Sequence, residues 1–271
     1  MAPIDGQLAF TEEQRAESRF LRPDLSFEGK LRRRISRGMH RRPAMVQLDK
    51  PLLSISFDDV LESAATTGAS LLESHGARGT FFASASYLGH DGKLGRFATH
   101  EQLQQLAQRG HELACHTWAH LNCGVASPQA VTEDCRRNAG VFARRDAPRL
   151  KSFAFPFGDV SPAAKHALGP RFQILRALHH GLVETGTDLN QAPAVGLEGR
   201  EGESAAMHWL QKAVARRAWL ILYTHDVAEE CSQYGCTPAA LERVITAAQS
   251  LGCDVVTVAE ASARLKSVGP R

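Results

Sequence analysis

The sequence has little of what marks secreted, membrane-spanning or disulfide-stapled proteins. Its 271 residues contain six cysteines, none in a Cys-x-x-Cys pair, and a chain of this length can form a core without disulfides. No eighteen apolar residues run together, and the N-terminal stretch shows no basic leader followed by an apolar segment. We therefore expect a cytoplasmic protein with reduced thiols and no membrane span, and we disfavour a bridge or half of a metal site at Cys231 and Cys236.

Net charge is also small, except in one segment. The formal net charge is only +3, yet residues 30–42, KLRRRISRGMHRR, hold seven of the 32 Lys and Arg residues and no acid. Leu31, Ile35 and Met39 recur there every four residues, which predicts a helix with a narrow apolar stripe. Two interpretations stay open: the stripe packs against the protein, or the segment is an arm that binds an anionic membrane surface. Nucleic acid is not an expected partner, because the segment lacks interleaved aromatic residues and a reading motif.

Apolar runs typical of strands alternate with helical patterns after the first fifty residues. Helical patterns cover 61–74 and 100–109, and Ser127-Pro128 and Thr237-Pro238 each combine an N-cap with proline at the first helical position. This alternation predicts parallel pairing and an α/β fold, either a barrel or an open sheet. We predict an N-terminal extension over 1–49 and one domain over 50–268. The predicted strands are 52–57, 80–86, 111–115, 152–157, 173–177, 220–224 and 254–258.

Acidic and histidine side chains stand at the ends of several predicted strands. The stretch SFDDV puts Asp58 and Asp59 side by side, and neighbours on a strand can serve one site only where the chain is leaving strand geometry. CHTWAH follows the third strand, and its His116 and His120 would point the same way on a helical turn, which suits one metal. YTHDV places His225 after the sixth strand. Because working residues of α/β folds collect at the C-terminal ends of strands, we expect these side chains to share a site.

In order and spacing, these segments resemble the motifs of the polysaccharide deacetylases of the NodB-homology type, carbohydrate esterase family 4. SFDDV is similar to the motif Thr-Phe-Asp-Asp-Gly, HTWAH to His-(Ser/Thr)-x-x-x-His, AFPF loosely to Arg-x-Pro-Tyr, and YTH to Leu-x-His. The resemblance spans roughly residues 50–260. It implies a distorted (β/α) barrel of about seven parallel strands.

The resemblance also implies roles for six residues in a metal-dependent N-deacetylation. Three would bind a divalent metal, foremost Zn²⁺, and three would act on the substrate. The implied ligands are Asp59, His116 and His120, and the implied catalytic groups are Asp58 as general base, His225 as general acid and the backbone N–H of Phe157 as oxyanion donor.

The sequence departs from the family motifs at four positions and lacks an Asp-Trp fourth motif. The departures are Val60 for Gly, Ala154 for Arg, Phe157 for Tyr and Tyr223 for Leu. Arg176 is the candidate to replace the missing arginine as a clamp on Asp58, and Glu184 or Asp188 is the candidate to orient His225. We expect Tyr223 to reshape the pocket for the acetyl methyl group.

These departures resemble the branch of the family associated with exopolysaccharide and holdfast biosynthesis. The implied partner is an N-acetylated oligosaccharide or polysaccharide, such as a lipid-linked precursor with N-acetylhexosamine units, met at the inner membrane. Two alternatives stay open: another amide hydrolase on the same scaffold, such as a deformylase of lipid-linked aminosugars or a ureide hydrolase, and a catalytically inactive carbohydrate-binding homologue.

Overall fold

The computed structural model describes residues 22–144 and 149–267. Predictions that concern residues 1–21, at the start of the expected extension, and residue 268, at the predicted end of the domain, lie outside these ranges. The boundary between extension and domain stays a prediction.

One parallel sheet organises the described part of the chain. Its strands are β2 (Leu52–Asp58), β3 (Thr80–Ala83), β6 (Glu112–Cys115), β7 (Ser152–Ala154), β8 (Ile174–Arg176), β9 (Val195–Gly196), β10 (Trp219–Thr224) and β11 (Asp254–Val255). Their order is β8-β7-β6-β3-β2-β10-β9, and β11 pairs with the start of β2 beside this path. Every pairing within this sheet is parallel, as the strand–helix alternation predicts. A separate antiparallel pair, β4 (Asp91–Gly92) and β5 (Gly95–Arg96), lies outside this sheet.

A short segment, residues 192–196, connects the two ends of the sheet by bonding to β8 on one side and to β10 on the other. Ala192 donates its amide to Leu175 of β8 at 2.8 Å, and Val195 and Gly196 form β9 against β10. The sheet therefore curls towards closure through irregular backbone, which gives the distorted (β/α) barrel that the sequence predicts.

Helices cover the sheet and begin where the sequence signals place them. Ser127 accepts a hydrogen bond from the amide of Ala130, and Thr237 accepts one from Ala240, so both predicted N-caps are confirmed. Strand β2 is buried along its whole length, with Leu53, Ile55 and Phe57 in one hydrophobic cluster and Leu52 in the other. The helices are α1 (Phe27–Ser36), α2 (Ala69–Ser74, preceded by a π-helical turn at Ala64–Gly68), α3 (His100–Gln108), α4 (Pro128–Ala143), α5 (Pro162–Leu168), α6 (Gly199–Arg216), α7 (Pro238–Ser250) and α8 (Val258–Arg264).

All seven predicted strands are present, several of them shorter than predicted. The second ends at Ala83 and the fourth at Ala154, and the turn after the fourth carries Phe157. The elements missed include β9, which is only two residues long, and the helices α5, α6 and α8, whose patterns were not read from the sequence.

Helix α1 turns its small residues inwards and its apolar stripe outwards. Gly29 and Ser36 are buried, and the Ser36 carbonyl accepts a hydrogen bond from the Nζ of Lys165 at 2.6 Å. Leu31 and Ile35 are 46% and 49% exposed. Of the two interpretations left open, these exposures contradict packing of the stripe against the protein, because small and polar residues make the contact instead.

Antiparallel pairing joins the segment after α1 to the end of the described chain. Strand β1 (Ala44–Met45) pairs with β12 (Lys266–Ser267). All six cysteines are free, and Cys231 and Cys236 form no disulfide. In residues 22–144 and 149–267, no helix has the length and apolar character needed to cross a membrane.

Candidate active site

The two adjacent carboxylates stand at the point where β2 ends. Asp58 is the last residue of the strand, and Asp59 and Val60 have φ values of +60° and +58°. The chain therefore leaves strand geometry at Asp59, as the sequence argument requires for two neighbours to serve one site. The left-handed conformation at Val60, where the family motif has glycine, is strained for a β-branched residue.

Asp59, His116 and His120 converge in a buried cluster. The Oδ1 atom of Asp59 lies 3.9 Å from Nε2 of His116 and 3.5 Å from Nε2 of His120, and one ligand atom from each residue falls within 4.8 Å of the others. Asp59 Oδ1 is shielded from solvent and has no hydrogen-bond partner among the described residues. A buried carboxylate oxygen without a donor fits a cation, and three N and O ligands are the set of an open catalytic metal site.

The two histidines lie on a loop rather than on a helical turn. Thr117 and His120 have φ values of +61° and +52°, so the i, i+4 spacing works here through a bend, unlike the helical turn considered from sequence. Asp134 holds the bend by accepting hydrogen bonds from the amides of Trp118 and Ala119, at 2.6 and 3.0 Å.

Burial keeps both imidazoles in the form that binds metal. Burial, with a smaller effect of the neighbouring His120, puts the pKa of His116 well below its ordinary value, and burial likewise lowers the pKa of His120. Nδ1 of His116 lies 2.9 Å from the carbonyl oxygen of Ala154, so this nitrogen carries the proton and leaves Nε2 free towards Asp59.

Asp58 has a different partner from Asp59. The Nη2 atom of Arg176, at the end of β8, lies 2.6 Å from Oδ1 and 2.5 Å from Oδ2 of Asp58. The guanidinium also lies over the rings of Phe82 and Tyr223, with its Cζ 5.0 and 5.2 Å from their centroids. Arg176 thus makes the contact that was considered for it as a substitute for the arginine absent at Ala154.

His225 follows β10 and pairs with Glu198. Its Nδ1 lies 2.8 Å from Oε1 of Glu198. Burial lowers the pKa of His225, but the hydrogen bond to Glu198 and the charges of Asp58 and Asp59 outweigh it and raise that pKa to about 9. His225 is therefore protonated at neutral pH, in contrast to His116 and His120.

The turn after β7 brings Phe157 against the metal-ligand cluster. Phe157 has a φ of +59°, and its ring meets the ring of His120 edge-on, with centroids 4.3 Å apart. The hydrogen bonds of this turn are donated by Gly158 to Phe155 and by Asp159 to Pro156, so neither uses the Phe157 amide.

Asp188 and Glu184, the residues considered as orienting groups for His225, lie elsewhere. Asp188 accepts a hydrogen bond from the buried Nζ of Lys165 at 2.5 Å, and Glu184 accepts from Arg216 at the surface. This corrects the sequence expectation: Asp188 anchors the segment around α5, and Glu198 is the carboxylate on His225.

Sequence reasoning missed Glu198 although a signal for it was present. Glu198 comes two residues after β9, so it obeys the rule that put the other candidates at strand ends. The strand itself was not recognised, because two residues give no alternation to read. Ser161-Pro162, the N-cap of α5, was missed as well, although it has the same signature as the two predicted caps.

The candidate site therefore combines a cluster that could hold a metal ion, a carboxylate bound by an arginine, and a histidine whose pKa is raised. The family described as polysaccharide deacetylase matches residues 46–169, which confirms the resemblance noted from the motifs. The match includes Asp58, the three clustered residues and Phe157, and it ends before Arg176. The enzyme class expected from sequence, a hydrolase of amide bonds, is the class of this family.

Solved structures show that the fold extends over most of the chain. A Mycobacterium smegmatis protein described as a polysaccharide deacetylase superimposes with a TM-score of 0.62, at 13% identity, over 83% of this chain and 94% of its own. The CE4 domain of a multidomain xylanase from the hindgut metagenome of Trinervitermes trinervoides gives 0.55 at 19% identity, over 78% and 89%. A family 4 acetyl xylan esterase from Clostridium thermocellum, solved with a cobalt ion, gives 0.52 at 19% identity, over 77% and 89%. No curated protein matches the chain.

Proposed function

We propose that this protein is a metal-dependent N-deacetylase that removes acetyl groups from N-acetylhexosamine units of an exopolysaccharide or its lipid-linked precursor. The observation that carries the proposal is the convergence of Asp59, His116 and His120 on one buried point beside Asp58 and His225. A metal-ligand cluster flanked by a base and an acid is what amide hydrolysis requires.

Asp59, His116 and His120 would hold the metal, and we propose Zn²⁺, since two neutral imidazoles and one carboxylate are ligands that zinc accepts. When bound, the ion supplies a Lewis acid and lowers the pKa of water. The carbonyl of Ala154 keeps His116 in the tautomer that presents Nε2.

Asp58 and His225 would move the protons. Asp58 accepts the proton of the attacking water, and Arg176, bonded to both of its oxygens, fixes the carboxylate for that step. His225 gives its proton to the departing sugar amine, and Glu198 keeps it protonated and oriented until then. The amide of Phe157 would donate to the oxyanion that forms on the acetyl carbonyl.

Tyr223 is proposed to support this arrangement. Its side chain hydrogen-bonds to Glu198 and its ring faces the guanidinium of Arg176, so it touches the partners of both proton-transferring residues. In this role it would narrow the space beside the acetyl group, which fits a small acyl chain.

Release of acetate from N-acetylated oligosaccharides, free and lipid-linked, tests the function. We expect acetate with neutral chito-oligosaccharides or their lipid-linked forms, loss of turnover after chelation, and recovery when Zn²⁺ is added back. Formate or a ureide product in place of acetate would indicate another amide hydrolase of the same fold. Oligosaccharide binding without turnover, at every concentration of added Zn²⁺, would indicate an inactive carbohydrate-binding homologue.

We also propose a cytoplasmic location with peripheral association at an anionic membrane. The support is a set of exposed apolar side chains on and around α1, next to basic residues of the same helix, which together suit an interfacial segment. The exposed apolar residues are Leu25, Phe27, Leu31, Ile35 and Met39.

Co-sedimentation with vesicles tests this association. The wild type should bind anionic vesicles and release them at high salt, whereas Leu31→Ser/Ile35→Ser should bind more weakly. Leu251→Ser is the control. Leu251 lies just after the end of α7, far from α1 in the sequence, and is as exposed as Leu31. Equal binding to neutral vesicles, or no binding by the wild type, would leave α1 with a structural role only.

A further inference from the structure

A groove with a volume of ≈ 720 Å³ lies between α1 and the turn that carries Phe157. One wall is formed by basic residues of α1, and the other includes Phe157 and His179. The basic residues lie three, four and seven positions apart, a spacing that puts them on one flank of a helix. They are Lys30, Arg33, Arg34 and Arg37.

The positive charge of this flank is only partly compensated. Arg33 forms an ion pair with the buried carboxylate of Asp159, which is the one acidic residue among the described residues that line the groove. Lys30, Arg34 and Arg37 are exposed and have no ion-pair partner in residues 22–144 and 149–267. Three uncompensated cations therefore face the same groove.

Other arginines of the same basic segment are used by the fold. Arg32 pairs with Asp24 at 2.7 Å, and Arg42 donates to the carbonyls of Gly169, Phe172 and Gln173. Some basic side chains of residues 30–42 therefore hold the fold together, whereas others line the groove without an acidic partner.

The groove reaches the candidate active site through a single side chain. Phe157 lines it and also packs edge-on against His120. A ligand in the groove would therefore contact the cations of α1 and end beside Phe157, next to the candidate active site.

We propose that the groove binds a phosphate or diphosphate group attached to the sugar that is deacetylated. The proposal rests on the proposed function and narrows its substrate to phosphorylated N-acetylhexosamines. Arginine suits this ligand because its planar group of donors matches phosphate oxygens, and the three uncompensated cations are enough to neutralise the two negative charges of a diphosphate linkage. The same chemistry is offered by a polyprenyl diphosphate sugar and by a nucleotide diphosphate sugar.

Substrate preference tests the proposal. We would measure kcat/KM for N,N′-diacetylchitobiose, for uridine diphosphate N-acetylglucosamine and for a short-chain prenyl diphosphate N-acetylglucosamine. Arg34→Gln/Arg37→Gln is the test variant, and Arg136→Gln/Arg171→Gln removes two exposed arginines outside the groove as a control. We expect the test variant to lose at least about tenfold more kcat/KM on one or both phosphorylated sugars than on the neutral one, mainly through KM, since charged hydrogen bonds are lost.

The phosphorylated sugar on which the test variant loses more kcat/KM distinguishes a lipid carrier from a nucleotide carrier. A larger loss on either one supports phosphate binding in the groove. Equal losses on neutral and phosphorylated sugars, or no loss, would overturn it. Calorimetric titration of chelator-treated protein with pyrophosphate separates this proposal from the proposed function. Pyrophosphate binding that is weakened in the test variant and kept in the control supports the groove even if no sugar is deacetylated, and absence of binding by the wild type contradicts it.

Discussion

The two halves of the candidate site are built in different ways. The metal-ligand half, Asp59, His116 and His120, uses neutral imidazoles that backbone groups and a nearby aspartate hold in place. The proton-transfer half, Asp58 and His225, uses charged groups, each paired with one side chain from a distant part of the chain. Ligands are therefore specified by local motifs, whereas proton donors and acceptors depend on how the barrel closes.

Loss of a ligand should have the largest effect and should be confined to the first half. His116→Ala removes one of three ligands, so we expect the purified protein to lose most of its bound divalent ion and its activity to fall to background. Metal analysis and acetate release would be measured together. His208→Ala, an exposed histidine on α6, should change neither quantity. Full metal content and activity in His116→Ala would mean that the metal-ligand half is wrongly assigned.

Loss of the base should separate the two halves. Asp58→Asn removes the proton acceptor and leaves the ligand set intact, so we expect roughly a 10²- to 10⁴-fold lower kcat with unchanged metal content. Asp49→Asn, an exposed aspartate, serves as the control. If Asp58→Asn also loses its metal, the two halves do not act independently.

Removal of Arg176, the partner of Asp58, should lower the free energy of unfolding. Arg176→Met leaves the carboxylate of Asp58 buried without its cation, and breaking such a pair costs about 3–5 kcal/mol in free energy of unfolding. Denaturant unfolding measures it, and the double variant Asp58→Asn/Arg176→Met should recover part of the loss because the stranded charge is gone. Additive effects of the two changes would argue that the pair does not interact.

Loss of the partner of His225 should give the smallest effect, visible in the pH profile. The general acid must be protonated, so activity falls as pH rises through the pKa of His225. Glu198 raises this pKa, and Glu198→Gln should therefore move the alkaline limb of kcat to lower pH, by roughly 1 to 3 units. Glu198→Asp should restore part of the shift. An unmoved limb with lower kcat would assign Glu198 a purely structural role.

The same contrast explains how much could be read from the sequence. Asp58, Asp59, His116 and His120 stand at the ends of strands that apolar runs reveal, so their placement together was predictable. The placement of Glu198 was not predictable, because it depends on the irregular segment 192–196, which bonds to β8 and to β10.

The rotation of α1 could not be predicted from the sequence for a related reason. Periodicity identified a helix in residues 30–42, but periodicity alone assumes that the apolar side faces the protein. In the structure, specific contacts decide the rotation of α1: the pairing of Arg33 with Asp159 and the bonding of Lys165 to Ser36. Such long-range polar contacts leave no periodic signal.

The left-handed backbone at the site carries an energetic cost. Five non-glycine residues around the site have positive φ values, and this conformation costs roughly 1–2 kcal/mol for an ordinary L-residue. Other contacts of the fold must offset this cost before the net stability of about 5–15 kcal/mol that domains typically keep is reached. The five positions are Asp59, Val60, Thr117, His120 and Phe157.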